Sequence, residues 1–147
     1  MSWLAVAAGA AVGTAARYGI DLLLPHPIDG FPWSTFIVNA VGSLALGWLT
    51  AALWDRVPDW VRAGLGAGLL GSFTTFSAVM VSAIAIGQGG ELVGGPGSVL
   101  PGDFAGAALV VFANVFVGIV CALIGLLVGR GGRGPRLAST PEGGEDA

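Results

Sequence analysis

Gly71-Ser72-Phe73-Thr74-Thr75-Phe76-Ser77 sets a glycine and a run of hydroxyl side chains inside an apolar stretch extending from about Val61 to Ile86. At ~1.5 Å per helical residue, that stretch is more than long enough to cross a bilayer's ~30 Å hydrocarbon core. Hydrocarbon holds no water to satisfy polar groups, so irregular backbone survives at that depth only when buried in protein or lining an aqueous cavity. The segment therefore reads first as an ion or substrate site and second as a packing kink. The stretch is longer than a straight crossing needs, and a break near Gly71 to Thr75 absorbs the excess in a non-helical turn. Such a turn frees backbone carbonyls, which are hard-cation ligands, and half-helix ends carrying partial charge. Thr74, Thr75 and Ser77 add hydroxyls. Phe76 either packs in the core or turns an electropositive ring edge toward a small anion.

The surroundings make this a membrane problem. The chain has 147 residues, 54% hydrophobic and 10% charged, with a mean hydropathy of +0.83, whereas soluble domains carry about 25% charged residues. It reads as an all-α integral membrane protein. Glycine, at 26 residues, lets spanning helices approach closely. The few arginines, with no lysine beside them, make no phosphate-binding patch, so nucleic acid is not a partner. The lone Cys121 excludes an intrachain disulfide and a cysteine-rich metal site, and reads as a small packing residue. The first residues lack a basic n-region and run apolar for too long to be an h-region, so no cleaved signal peptide is expected.

Four spans are expected: about Trp3–Leu24, Trp33–Trp54, Val61–Ile86 and Phe104–Val128. Pro25-His26-Pro27 ends the first, with His26 a loop residue, and Asp55-Arg56 and Pro58 end the second. A flexible Gly/Pro-rich loop, Gly87 to Asp103, precedes the fourth, with Glu91 and Asp103 solvated. Residues 1–129 form the transmembrane domain, and 130–147 a disordered cytoplasmic tail. No nucleophile–base pair, metal cluster or phosphate loop is present, so the chain does not read as an enzyme. Trp3, Trp33, Trp54 and Trp60 fall near span ends as an aromatic belt, while Trp48 lies deeper. Loops one and three carry no Arg or Lys. Arg56, Arg62, Arg130, Arg133 and Arg136 fall on one side, which the positive-inside rule assigns to the cytoplasm of the cell membrane together with both termini.

Two helical stripes run through these spans: Thr35, Asn39, Ser43, Gly47 and Thr50 in the second, and Asn114, Gly118, Cys121, Gly125 and Gly129 in the fourth. Gly9-x-x-x-Gly13 occupies the first. The glycines read as packing surfaces. Each asparagine has two donors and two acceptors to satisfy, and either serves packing or faces a polar pathway. A bundle this small has little room for a pathway, which favours an oligomer with the pathway near a subunit interface. Arg17, about four turns into the first span, is followed at i+4 by Asp21. Arg17 is either a functional intramembrane charge or a side chain that snorkels and pairs with Asp21.

Taken together, these residues resemble the CrcB/Fluc fluoride channels over about Ala8 to Gly129. The resemblance rests on Gly9 through Arg17-Tyr18, on Pro32-Trp33-Ser34-Thr35-Phe36-Ile37-Val38-Asn39-Ala40-Val41-Gly42-Ser43 and most strongly on Gly71 through Ser77. It implies an antiparallel dimer in the membrane lipid, with two fluoride pores and passive export of fluoride. It also implies a structural sodium ion at the dimer centre, held by the Gly71 and Thr74 carbonyls of both subunits. By the same resemblance Asn39, Thr75, Phe76, Ser77 and Asn114 line the pore, and Arg17 is a structural or vestibule charge.

The chain departs from that family where Thr-Thr-Phe-Ser-Thr-Phe-Ser is usual. It reads Thr74-Thr75-Phe76-Ser77-Ala78-Val79-Met80, losing the second phenylalanine and two hydroxyls, and a tyrosine common early in the fourth span is Val110. An antiparallel homodimer also needs a chain that inserts both ways, and this one is asymmetric in arginine. Some family members work as oppositely inserted pairs, so a homologous partner subunit is expected, favouring a heterodimer over a homodimer. Two alternatives stand beside this. A small-multidrug-resistance-type exporter needs a buried first-span carboxylate, and only Asp21 is available. A non-conducting partner subunit fits the lost hydroxyls and Val79.

Overall fold

A chain in hydrocarbon must satisfy its backbone N–H and C=O groups internally, which apolar stretches do by coiling into helices. The computed structural model describes residues 2–24, 32–87 and 104–131. It begins with α1 (Ser2–Leu23) and α2 (Trp33–Ala52), followed by a 3-10 turn at Trp54–Arg56. The third span is assembled from pieces: α3 (Asp59–Ala63), a π-helical run Gly64–Leu70, α4 (Gly71–Phe73) and α5 (Ser77–Gly87); α6 (Phe104–Gly131) closes the bundle. Among the described residues there is no strand.

Three helical runs, Trp33–Ala52, Asp59–Gly87 and Ala105–Gly131, are long and apolar enough to cross a membrane. The further helix, α1, has 22 residues, about 33 Å of helix, but carries Arg17 and Asp21 and is not among these three. Only 11% of the last span's most apolar window is buried, leaving Phe112, Phe116, Ile119, Leu123 and Leu127 of α6 exposed. So much continuous apolar surface marks contact with lipid or protein rather than water. The chain is an all-α membrane protein.

Some expected boundaries move. α2 stops at Ala52 rather than Trp54, and a 3-10 turn follows that lays the Trp54 ring against Gly66, where a Cβ would lie 3.3 Å from the indole. Trp54 is therefore half-buried in the bundle, while Trp3, Trp33 and Trp60 stay exposed near helix ends as a belt requires. α6 continues past Val128 to Gly131. His26, the loop residues 88–103 with Glu91 and Asp103, and the tail beyond residue 131 lie outside the described residues.

The glycine stripes decide how the helices pair. A Cβ on Gly47 would strike the Ala122 carbonyl, one on Gly125 the Leu44 carbonyl, and one on Gly129 would lie 2.8 Å from the Trp48 carbonyl. These contacts climb both helices together, so α2 and α6 run parallel. α1 runs parallel to the first half of the third span in the same way. Gly9 lies against Gly64, Gly13 against Leu69 and Ser72, and Gly68 against Val6, while Ser72 Oγ reaches the Ala10 carbonyl at 3.0 Å. Beyond the break, α5 leaves α1 and packs on α6, with Gly87 beside Ala107. The break thus passes the third span from one helix partner to another. Within the π-helical run the Gly71 N–H bonds the Gly66 carbonyl five residues back, and the small side chains allow this widened turn to sit close to α1.

Candidate functional site at the third-span break

The helix stops at Thr74, whose backbone is extended (φ −75°, ψ 152°), and resumes at Ser77. Asn39 of α2 holds the gap. Its Oδ1 accepts the Thr75 N–H at 2.8 Å, and its Nδ2 donates to the Thr75 carbonyl at 2.9 Å. The side-chain amide thereby stands in for a neighbouring peptide, and its orientation is fixed because donor and acceptor are both matched. The second Asn39 hydrogen goes to Asn114 Oδ1 at 3.1 Å. Asn114 is 6% exposed and anchors its own Nδ2 on the Val110 carbonyl at 3.2 Å. The two asparagines predicted from their stripes are therefore one network, reaching from α6 through α2 to the break.

This clamp has a consequence for the carbonyls. In an unbroken α-helix the Thr75 N–H would bond the Gly71 carbonyl, and the Ala78 N–H would bond that of Thr74. Here Asn39 takes the first N–H and Thr75 Oγ1 caps the second at 3.3 Å. The Gly71 and Thr74 carbonyls, which the family resemblance implicates, are therefore among those at the break whose helical donors are diverted. Such carbonyl oxygens suit a hard cation. Among the described residues no group of three His, Cys, Asp or Glu side chains gathers to hold a metal.

Two cavities flank the clamp. One, of about 440 Å³, is lined by Asn39, Ser43, Thr74, Phe76, Val79 and Asn114, among others, and continues along the α2–α6 seam to Ala122. The other, of about 330 Å³, is lined by Arg17, Asp21, Thr35, Thr75, Ser77, Ala78 and Val81. The parallel pairing of the helices puts them toward opposite ends of the bundle. Thr75 lines both, and its hydroxyl meets Ser77 Oγ at 3.1 Å.

The sequence-predicted residues distribute over this arrangement. Asn39, Thr75, Phe76, Asn114, Gly71 and Thr74 line the larger cavity; Thr75, Ser77 and Arg17 line the smaller. Phe76 is 59% exposed, its ring projecting from the single chain. Arg17 and Asp21 share a cavity, and among the described residues no ion pair joins them, so the pairing offered by their spacing is not made. Sequence reasoning assigned Ser43 to a stripe but not to the site. It overlooked Gly42, where a Cβ would collide with the Thr74 methyl and lie 3.2 Å from the Phe73 ring. The Asn39-x-x-Gly42-Ser43 spacing was the available signal, one turn carrying a clamp, a gap and a hydroxyl on one face.

Fold and site define a class: a multi-pass helical membrane protein whose polar groups converge on a mid-span break between two cavities. Within that class the chain belongs to the CrcB family, since the family described as "CrcB-like protein, Camphor Resistance (CrcB)" matches residues 4–126. It is similar to a fluoride-specific ion channel FluC of Paracoccus denitrificans, 37% identical over 130 residues, covering 88% of this chain and 95% of the relative. A fluoride-specific ion channel FluC of Thermus thermophilus is 36% identical over 129 residues, covering 86% and 94%. A fluoride-specific ion channel FluC 2 of Geobacillus kaustophilus is 30% identical over 128 residues, covering 85% and 90%.

Proposed function

We propose that this chain is a subunit of a fluoride channel that lets fluoride leave the cytoplasm passively, limiting its toxicity. The observation that carries the reading is the sharing of Thr75 between the two cavities, with the Asn39 clamp between them. An ion moving from one cavity to the other passes the break. There a dehydrating anion meets hydroxyls at Thr75 and Ser77, the one Asn114 amide hydrogen that the clamp and the Val110 carbonyl leave over, and the exposed Phe76 ring, whose edge is electropositive. Capture has to replace lost hydration without trapping the ion. The catalysis of a chemical reaction is no part of this account. A proton-coupled exporter is poorly served, because Asp21 shares its cavity with Arg17.

The subunit works in an antiparallel dimer. Phe76 and the apolar faces of α6 are exposed in the single chain, as a partner or lipid would require. The helix pairing brings Arg56, Arg62 and Arg130 to one end, which supports a fixed orientation with that end, and both termini, in the cytoplasm. A fixed orientation favours an oppositely inserted homologous partner. Val79, fully buried in the wall of the larger cavity, favours a second reading in which this subunit mainly completes its partner's pore.

The Gly71 and Thr74 carbonyls of both subunits would hold a sodium ion, whose charge would draw the two subunits together. Replacing sodium by N-methylglucamine is then expected to shift the purified dimer to monomer, read by size-exclusion chromatography and cross-linking. A dimer fraction insensitive to the cation would remove sodium from the account. The function itself is tested by fluoride efflux from liposomes, with this chain alone and with a homologous partner.

A further inference from the structure

The smaller cavity holds two opposite charges that the clamp does not use. Arg17 is half-buried and Asp21 exposed, one helical turn further along α1 toward its C-terminal end, and both line the same space. The α1–α4 contacts place Gly13 beside Ser72, so Arg17 lies near the depth of the break and Asp21 lies outward of it. Thr35, Thr75 and Ser77 complete a polar lining. An anion approaching the break from this end meets the carboxylate before the guanidinium, and no ion pair among the described residues cancels either charge.

We infer that Asp21 acts as an electrostatic brake at this mouth: it lowers the anion concentration in the cavity that Arg17 raises, and so sets the rate and apparent affinity of anion capture. The inference rests on the anion-pathway reading for its effect on flux, but the local potential it assigns is a property of the cavity alone. A space of about 330 Å³ is roughly 9 Å across, and one unit charge at that distance in water-like dielectric changes a monovalent ion's local concentration about twofold. The effect is largest at low ionic strength, where screening is weakest.

A cysteine reporter separates the two parts. In the full chain carrying Cys121→Ser, Ala78→Cys places a thiol on the cavity wall, and Val81→Cys, at a 57% exposed position, gives a second one. Each is modified with an anionic sulfonatoethyl and a cationic trimethylammonium-ethyl methanethiosulfonate. Asp21→Asn is expected to raise the anionic-to-cationic rate ratio about fourfold at about 10 mM salt, the twofold effect acting on both reagents. The gain shrinks at about 500 mM, and Arg17→Gln moves the ratio the other way. In liposomes Asp21→Asn is expected to raise fluoride efflux about twofold at sub-saturating fluoride. An unchanged ratio at both reporters overturns the inference whether or not fluoride is conducted. A changed ratio with unaltered efflux in a conducting protein overturns the brake and leaves the proposed function standing. Absence of efflux from the unaltered protein, alone and partnered, overturns the proposed function, while the ratio still decides the sign of Asp21's effect on the cavity.

Discussion

Replacing Asn39 by alanine is expected to cut fluoride efflux about 100-fold or more. The side chain makes both backbone bonds to Thr75 and donates to Asn114. Removing it strands an N–H and a C=O at the break, each costing about 1–3 kcal/mol when left without a partner. A loss of roughly 3 kcal/mol in the geometry that admits the ion corresponds to about two powers of ten in rate. Alanine also frees the Thr75 N–H to rejoin the Gly71 carbonyl, letting the helix close over the break. Asn39→Asp separates shape from hydrogen bonding. It keeps an acceptor for the Thr75 N–H, loses both donors and sets a negative charge against a carbonyl on an anion's route, so it should conduct no better than alanine. Efflux is measured with a fluoride electrode, and size-exclusion elution monitors assembly. An assembled Asn39→Ala protein conducting within about twofold of the unaltered one would remove the clamp from the mechanism.

Thr75→Val is expected to lower efflux about tenfold while leaving the protein folded. Valine keeps the branched shape and loses the oxygen that caps the Ala78 N–H and meets Ser77 Oγ. Loss of such a cap costs about 1 kcal/mol, about a fivefold rate effect. Because Thr75 borders both cavities, the missing hydroxyl also removes a donor where an ion has least room for water. Thr75→Ser retains the oxygen and should conduct within about twofold of the unaltered protein. Loss in the serine variant with efflux kept in the valine variant would point to the methyl group, and hence to packing.

Much of this was legible in the sequence because membrane physics restricts what a polar residue at mid-span can be doing. Gly71 to Ser77 announced the break, and the structure puts it at Thr74 to Phe76, in the second half of that segment. The glycine stripes showed which faces pack closely. They did not show which helices meet, since the same small-residue spacing serves any neighbour. Parallel pairing of α2 with α6, and of α1 with the first half of the third span, emerges only from contacts made in three dimensions. The Asn39–Thr75 clamp spans 36 positions, and no local pattern reveals that one amide replaces a helix's own hydrogen bonds. The π-helical run was hidden because Gly64 to Leu70 is as compatible with an ordinary helix. Trp54 resembled its fellow belt tryptophans until the 3-10 turn folded its ring onto Gly66. Arg17 and Asp21 have the spacing of a helical ion pair, yet they stand as two separate charges facing one cavity.

The central claim is that fluoride passes the break in an assembly containing this chain. The direct measurement is ion efflux from sodium-containing liposomes, using this chain alone and this chain co-reconstituted with an oppositely inserted homologue. Fluoride efflux with no chloride efflux is expected, appearing on co-reconstitution if the arginine asymmetry fixes the chain in one orientation, and from the chain alone if it inserts both ways. Fluoride retained in both preparations, with assembly intact, would contradict the account.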